Sequence, residues 1–288
     1  MTIRHTARRF GRNLQCHRNV SSAEVMPGWI MQRAVQTLGM DKRRVVMQWL
    51  NQLGPFWDKS QQHSSDDWLE CNGEPVTDTA IGEAAHCLAL GLDRRLVSMD
   101  PSAWLSSPLS VEFESGPNRH VDVLNYWLVE AIQTALSVAP TPVRSWDDLA
   151  AVARVRFPDL TFSTNSFAPL RGHPFGRGPA ERMIALLTVL HDFKNCFNEQ
   201  GQRTSEGHEI YQQHFTGEKA WFSDSSNTEK SQFNSDLTFP HPARPGETLF
   251  CTWHGKVKTP QLRIHFSWPV RANEPMYVVY VGPKITKR

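Results

Sequence analysis

The chain has 288 residues, 40% of them hydrophobic and 21% charged, which is typical of about two globular domains with buried cores. It contains 31 basic and 29 acidic residues, so the net charge alone favours no class of partner. No stretch approaches the ~20 consecutive apolar residues of a membrane span, and no apolar segment of a secretory signal follows the basic start. Five scattered cysteines without a CxxC pair argue against a disulfide framework or a zinc knuckle. We therefore predict a cytoplasmic protein that does not contact a membrane.

The N-terminal half combines predicted helices and strands. Residues 1–24 carry five arginines and little apolar periodicity, which predicts a flexible or loosely docked arm. Apolar residues spaced three and four apart predict an α-hairpin near residues 27–53. The predicted elements that follow are a helix from Thr79 to Leu90 with Asp78 or Thr77 as its N-cap, strands at 96–99 and 109–113, and a helix at 123–136. Together these elements predict a mixed α/β domain over residues 25–137.

The proline-rich segment 138–144 is the predicted linker to a second domain, residues 145–288. The first elements predicted there are a helix at 146–157 with Ser145 as its N-cap, a loop at 167–179 and an amphipathic helix at 180–197. The fold class predicted for the whole chain is α+β.

Three strands separated by turns are predicted near the end of the chain, at Thr248–His254, Leu262–Trp268 and Met276–Val281. In the central strand apolar residues alternate with polar ones, so Arg263 and His265 share a polar face. The apolar positions of that strand are Leu262, Ile264, Phe266 and Trp268. The pattern predicts an antiparallel meander with one apolar and one polar side.

The segment 248–288 is strongly basic, with seven cationic side chains opposed by Glu274 alone, a net charge of +6. Cations beside exposed aromatic rings on a sheet face are what phosphate contact and base stacking require. We therefore predict that this sheet binds nucleic acid, RNA in preference to DNA. The predicted contact residues are Lys256, Lys258, Arg263, Arg271, Tyr280, Lys284 and Lys287. The alternative is a solvated face whose lysines only protect an edge strand from aggregation.

The same segment contains the side chains for metal-independent cleavage of RNA. Such cleavage needs a base for the 2′-hydroxyl, a cation for the phosphate and an acid for the leaving group. His265 and His254 are the only imidazoles of the segment, and with Arg263 they are the candidate catalytic residues. The alternative interpretation is that both are surface histidines without a catalytic role. No metal signature, phosphate-binding loop or nucleotide-binding fingerprint occurs in the sequence, and no metal or cofactor is predicted.

The segment also resembles the final strands of the RelE/ParE superfamily of small bacterial toxins. The matching residues are Arg263-Ile264-His265-Phe266 and Tyr277-Val278-Val279-Tyr280, with Lys284 after them. The resemblance implies a basic antiparallel sheet that reaches a ribosome-bound message or a gyrase. The chain departs from that family in its large N-terminal part and in lacking an obvious preceding pair of helices of toxin length.

A second resemblance extends over most of the chain, to an uncharacterised bacterial family associated with anti-phage defence loci. It rests on Trp253-His254-Gly255-Lys256, on Arg263-Ile264-His265-Phe266 and on the segment from Gly217 to Ser223. No known activity comes with that family. The two resemblances leave two hypotheses, an effector that engages and cleaves RNA and a non-enzymatic adaptor that holds nucleic acid. In both, the aromatic-rich N-terminal half is predicted to bind a partner protein.

Three further constellations have a functional and a structural interpretation. Arg203 and His208 have the spacing of HEPN ribonucleases, or they flank the start of a helix capped by Ser205. The segment 217–226 either cradles a phosphate beside Lys219 or caps a helix, which we favour. His63 with Asp66, Asp67 and Glu70 either supplies metal ligands or belongs to a polar loop, which we favour.

Overall fold

The computed structural model describes residues 2–50, 56–57, 61–64, 66–100, 102–114 and 119–286. Two compact units are present: Met1–Ala89 with Asp93–Pro142, and Leu90–Leu92 with Val143–Arg288. Helices and strands alternate irregularly in both units, and the fold class is α+β, as predicted. Among the described residues no helix is both long and apolar enough to cross a bilayer.

The first unit is built around a four-stranded antiparallel sheet with the strand order β4 (Glu74–Pro75), β3 (Leu69–Cys71), β6 (Leu109–Phe113) and β7 (His120–Val123). Its elements are α1 (Thr2–Arg9), a 3₁₀ helix (Arg18–Ser22), β1 (Glu24–Met26), β2 (Trp29–Ile30), α2 (Met31–Gln36), α3 (Met40–Gln48), β3 (Leu69–Cys71), β4 (Glu74–Pro75), α4 (Ala80–Ala89), β5 (Leu96–Val97), β6 (Leu109–Phe113), β7 (His120–Val123), β8 (Asn125–Tyr126) and α5 (Val129–Ser137). The core of this unit joins the inward side chains of β3, β6 and β7 to those of α4.

Two sequence predictions in this unit are corrected. The predicted arm contains α1, whose Ala7 is buried against Ile132 and Leu136 of α5. The helix predicted at 123–136 begins only at Val129, because the preceding residues are held in strands. The Asn125 side chain fixes that extended segment by donating to two main-chain carbonyls. The helix predicted from Thr79 is confirmed as α4, and the strand at 109–113 is confirmed as β6. The predicted N-cap is wrong, because Thr79 and not Asp78 or Thr77 caps α4, its Oγ1 accepting from the Ile81 amide at 3.2 Å and the Gly82 amide at 3.4 Å.

The second unit contains a five-stranded sheet with the order β10 (Phe222–Ser223), β13 (His254–Val257), β14 (Leu262–Phe266), β15 (Met276–Pro283) and β9 (Leu160–Phe162). Its elements are α6 (Trp146–Arg156), β9 (Leu160–Phe162), a 3₁₀ helix (Ala168–Leu170), α7 (Arg177–Asn195), α8 (Ser205–Phe215), β10 (Phe222–Ser223), α9 (Asn227–Gln232), β11 (Thr238–Pro240), β12 (Thr248–Phe250), β13 (His254–Val257), β14 (Leu262–Phe266) and β15 (Met276–Pro283). The strands pair antiparallel except β15 and β9, which are parallel.

Helix α7 supplies much of the core of the second unit. Its apolar residues recur at helical spacing, and Leu186, Leu187 and Leu190 are fully buried. Leu186 and Phe222 approach the backbone of Gly255 in β13, where a Cβ would come to 2.9 Å from the Phe222 ring. Gly255 therefore lets one face of the sheet and this helix pack closely. The Ser145-capped helix is also confirmed, since Ser145 Oγ accepts from the Asp148 amide.

The predicted meander is confirmed for β13, β14 and β15, but its first strand is shifted. Residues 248–250 form β12, which pairs with β11 in a separate hairpin. The chain then passes through residues 251–253 and enters the large sheet as β13. Lys256 falls in the predicted turn between the strands 248–254 and 262–268, but in the structure it is a strand residue directly opposite Arg263.

Candidate nucleic-acid interface

The strand register collects the predicted polar residues on one face of the sheet. His254 lies opposite His265, and Lys256 lies opposite Arg263. On the other side of β14, His265 lies opposite Tyr280. Because side chains two residues apart along a strand point to the same side, Arg263 and His265 share a face, as the alternation predicted.

The two histidines on that face are buried, so the alternative interpretation of both as surface histidines is wrong. His265 is 2% exposed and His254 is 8% exposed. The Phe239 ring of β11 lies 6.1 Å from the His265 ring and 6.0 Å from that of Tyr280. His265 Nδ1 is 3.0 Å from the Cys251 carbonyl oxygen, and His254 Nδ1 is 3.2 Å from that of Thr252. The β11–β12 hairpin and the residues that follow it therefore cover this part of the face.

Burial keeps both imidazoles neutral. It lowers the pKa of His254 to about 4, with smaller contributions from Arg263 and Lys256. It lowers the pKa of His265 to about 3, and the neighbouring His254 adds to this decrease. In the neutral form each Nδ1–H donates to its main-chain carbonyl. A base or acid for RNA cleavage must reach its substrate, so this arrangement argues against the predicted catalytic roles of His254 and His265.

Four cations lie at the end of the sheet where β13 ends and β14 begins, and we call Lys256, Lys258, Arg263 and Lys284 the basic end. Burial lowers the pKa of Lys256, and the charges of Arg263 and Lys258 lower it further. The pKa of Arg263 is also lowered by burial, and its Nη1 donates to the carbonyl oxygens of Leu262 and Val257 at 2.8 and 3.2 Å. Like charges directly opposite each other in a sheet are destabilising. The basic end is therefore a site with a deficit of negative charge.

One carboxylate, Glu229 of α9, lies against the basic end. Its Oε1 accepts from Lys284 Nζ at 3.2 Å and from Thr286 Oγ1 at 2.6 Å. Its other oxygen accepts from Ser226 in a capping box at the start of α9. These hydrogen bonds, led by that of Thr286, lower the pKa of Glu229 to about 2. Glu229 also partly offsets the charge of Arg263, so this carboxylate interacts with two residues of the basic end, Lys284 and Arg263.

The remaining predicted contact residues lie elsewhere. Arg271 is exposed beyond the end of β14 and pairs with Glu274 at 3.1 Å. Tyr280 donates its hydroxyl hydrogen to the Pro283 carbonyl oxygen at 2.7 Å and is half-buried beside His265. Lys287 lies outside the described residues. The structure thus unites four of the predicted cations and separates Arg271 from them.

Two other groups of residues with a possible function, Arg203 with His208 and the segment 217–226, lie at the starts of helices. Thr204, one residue before the expected Ser205, caps α8, and the Arg203 guanidinium lies 4.1 Å from the Tyr211 ring centroid. Ser226 caps α9, as favoured for the segment 217–226. In neither place does the geometry assemble a phosphate site from the residues named in the sequence.

The acidic segment around His63 contains more structure than a polar loop. His63 Nδ1 is 2.7 Å from Glu83 Oε2, and its Nε2 is 3.3 Å from Asp78 Oδ1. The hydrogen bond with Glu83 is the main reason that the pKa of His63 is raised, against the effect of burial. Both His63 and Glu83 are buried, so this is an internal hydrogen-bonded pair of the first unit.

Glu229 is the residue of the interface that sequence reasoning missed. The Ser226-x-x-Glu229 spacing is a capping-box signature and marks the start of a helix. It carries no signal that the helix docks against residues 284–286, because that contact is long-range in sequence. No family model, curated protein or solved structure matches the chain. Functional inference therefore depends on the geometry of the site.

Proposed function

We propose that the second unit binds nucleic acid, RNA in preference to DNA, through the phosphate groups that its basic end accepts. The observation that carries this proposal is the pair of Lys256 and Arg263, two cations held directly opposite each other, of which only Arg263 is partly offset by Glu229. A phosphate placed there relieves the repulsion and releases counterions from the nucleic acid. Single strands and duplexes both present phosphates to such a site, because a two-stranded β-ribbon can also enter a major groove, and the experiment below separates the two kinds of ligand.

Burial of both histidines favours binding without cleavage, and we therefore propose a non-enzymatic nucleic-acid-binding component. The role in a bacterial defence system that the sequence resemblance implies, and a partner protein for the N-terminal half, belong to the same proposal. The ribonuclease hypothesis requires the β11–β12 hairpin to move away from His265. The binding experiment described next also tests the ribonuclease hypothesis, because it shows whether the RNA stays intact.

The test is the salt dependence of binding by the full-length chain to labelled single-stranded RNA, single-stranded DNA and duplex DNA. Each phosphate contact to a single strand contributes a slope of about −0.7 in log K against log salt. The double variant Lys256→Gln/Lys258→Gln is expected to make the slope shallower by about 1.4, whatever the base sequence. Arg271→Gln is the matched control, since it removes an exposed cation of the same segment that lies away from the basic end.

Binding that is absent, or equally reduced by Arg271→Gln, would overturn the proposal. Intact RNA after incubation is the expected result. Loss of RNA length that disappears in His265→Asn, with the fold retained, would instead establish the ribonuclease.

A further inference from the structure

A second cationic feature of this unit lies beside the edge strand β10. The Cζ atom of Arg182, in α7, lies 3.6 Å from the centroid of the Trp221 indole ring. At this distance the guanidinium is in van der Waals contact with the face of the ring. Trp221 immediately precedes β10, and its carbonyl oxygen accepts from the Lys256 amide at 3.0 Å. Arg182 therefore stacks on a residue whose backbone adjoins that of the basic end.

Arg182 is desolvated without a counter-charge. Burial lowers its pKa to about 10, and no carboxylate contributes to that pKa. Within the part of the chain that the structure describes, the side chain makes no ion pair and no hydrogen bond beyond its ring contact. A charged group removed from water is normally paired with an acid or with several acceptors. An indole face offsets only part of the lost hydration.

Arg154 shows what a structural arginine looks like in the same unit. Its guanidinium lies 5.2 Å from the Phe167 ring centroid, and it donates to the carbonyl oxygens of Ala150, Ser163 and Thr164. Its donors are used within the fold. Those of Arg182 are unused, and because the residue is half-buried and its nitrogens are not among the sealed, unpartnered atoms of the described residues, they retain some contact with solvent.

The N–H donors of a stacked guanidinium determine which ligand it can bind. Stacking uses the face of the group and leaves its N–H bonds pointing outward in the plane. That planar fork matches two oxygens of a phosphate and forms two parallel charge-assisted hydrogen bonds. We propose that Arg182 is a phosphate-binding residue, which takes a phosphate group of the nucleic acid beside β10 while Trp221 holds the guanidinium in place. This inference rests on the proposed function, because it extends the interface beyond Lys256.

The first test compares Arg182→Gln and Arg182→Lys in the salt titration of RNA binding. Arg182→Gln is expected to make the slope shallower by about 0.7, one phosphate contact. Arg182→Lys keeps the charge but loses the fork, so the slope is retained while the affinity falls. Arg154→Gln is the matched control and is expected to leave the slope unchanged. Strands with a 5′-phosphate and a 5′-hydroxyl distinguish a terminal phosphate from one within the strand.

A second measurement does not depend on the variants folding. Inorganic phosphate is titrated into the wild-type chain while the arginine side-chain N–H resonances are followed by NMR. A shift of the Arg182 resonance, assigned by through-bond experiments on the wild-type chain, is expected, and no shift would overturn this inference. A slope unchanged in Arg182→Gln but reduced in Lys256→Gln/Lys258→Gln would overturn this inference alone. Unchanged slopes in both would overturn the proposed function as well.

Discussion

The buried histidine pair predicts that the second unit loses stability in mild acid. His254 and His265 have pKa values of about 4 and about 3 in the fold, against an ordinary value of 6.5. Unfolding exposes both rings, which then take up protons at any pH below about 6.5. Their contribution to stability is therefore present above that pH and is lost as the pH falls toward the folded-state values.

The loss of unfolding free energy is proportional to the number of pH units between the ordinary histidine pKa and the pH of the experiment. From pH 6.5 down to pH 5, each histidine costs about 1.4 kcal/mol per pH unit, or about 2 kcal/mol in all. For the pair the free energy of unfolding falls by about 4 kcal/mol. This is a large part of the 5–15 kcal/mol that is typical of a whole domain. We expect the second unit to be markedly less stable at pH 5 than at pH 7.5.

The assay is urea unfolding of the full chain at several pH values, followed by tryptophan fluorescence. The double variant His254→Asn/His265→Asn keeps an N–H donor near each carbonyl but cannot take up a proton. It is expected to be less stable than the wild type at about pH 7.5 and to lose little further stability by about pH 5. His208→Asn, on the exposed surface of α8, is the matched control and should follow the wild type. Parallel pH profiles of the double variant and the wild type would refute the reasoning.

Three further changes test other parts of the fold. His63, whose pKa is raised mainly by Glu83, contributes stability below about pH 6.5 that is lost as the pH rises; His63→Gln should remove that alkaline decline in melting temperature, and an unchanged decline would contradict this. Ser226→Ala should cost about 1 kcal/mol in urea unfolding by removing the α9 cap, and no loss would show the cap to be dispensable. Gly82→Ala should lower the melting temperature, although alanine favours a helix by roughly 0.5–1 kcal/mol, because its Cβ would lie 2.3 Å from the Val76 carbonyl oxygen. A higher melting temperature would contradict this last expectation.

Local pattern was sufficient to predict several elements of the fold. The alternation in β14 identified the strand and its two faces, because a period of two is a local property of the chain. The Ser145 cap and the apolar spacing of α7 were equally local signals. The short strand β9 was not predicted, since three residues are too few to show a period.

The candidate site was only partly predictable because its environment is assembled from distant segments. Alternation assigned His265 to the polar face but gave no information about what covers that face. The cover comes from Phe239 and the hairpin in which Thr238 pairs with Phe250. The pairing of Glu229 with Lys284 is of the same kind. The charge of the segment was visible in the sequence, but only the register of β13 and β14 showed that Lys256 and Arg263 lie opposite each other.

The position of β15 determines when the second unit can fold during translation. This strand is hydrogen-bonded on both sides, to β14 and to β9, although β9 precedes α7 in the chain. During translation the apolar face of α7 is complete long before residues 276–283 leave the ribosome. Folding of the sheet therefore waits for nearly all of the unit to be synthesised, with apolar surface exposed in the meantime. We expect nascent chains that stop before β15 to depend on chaperones.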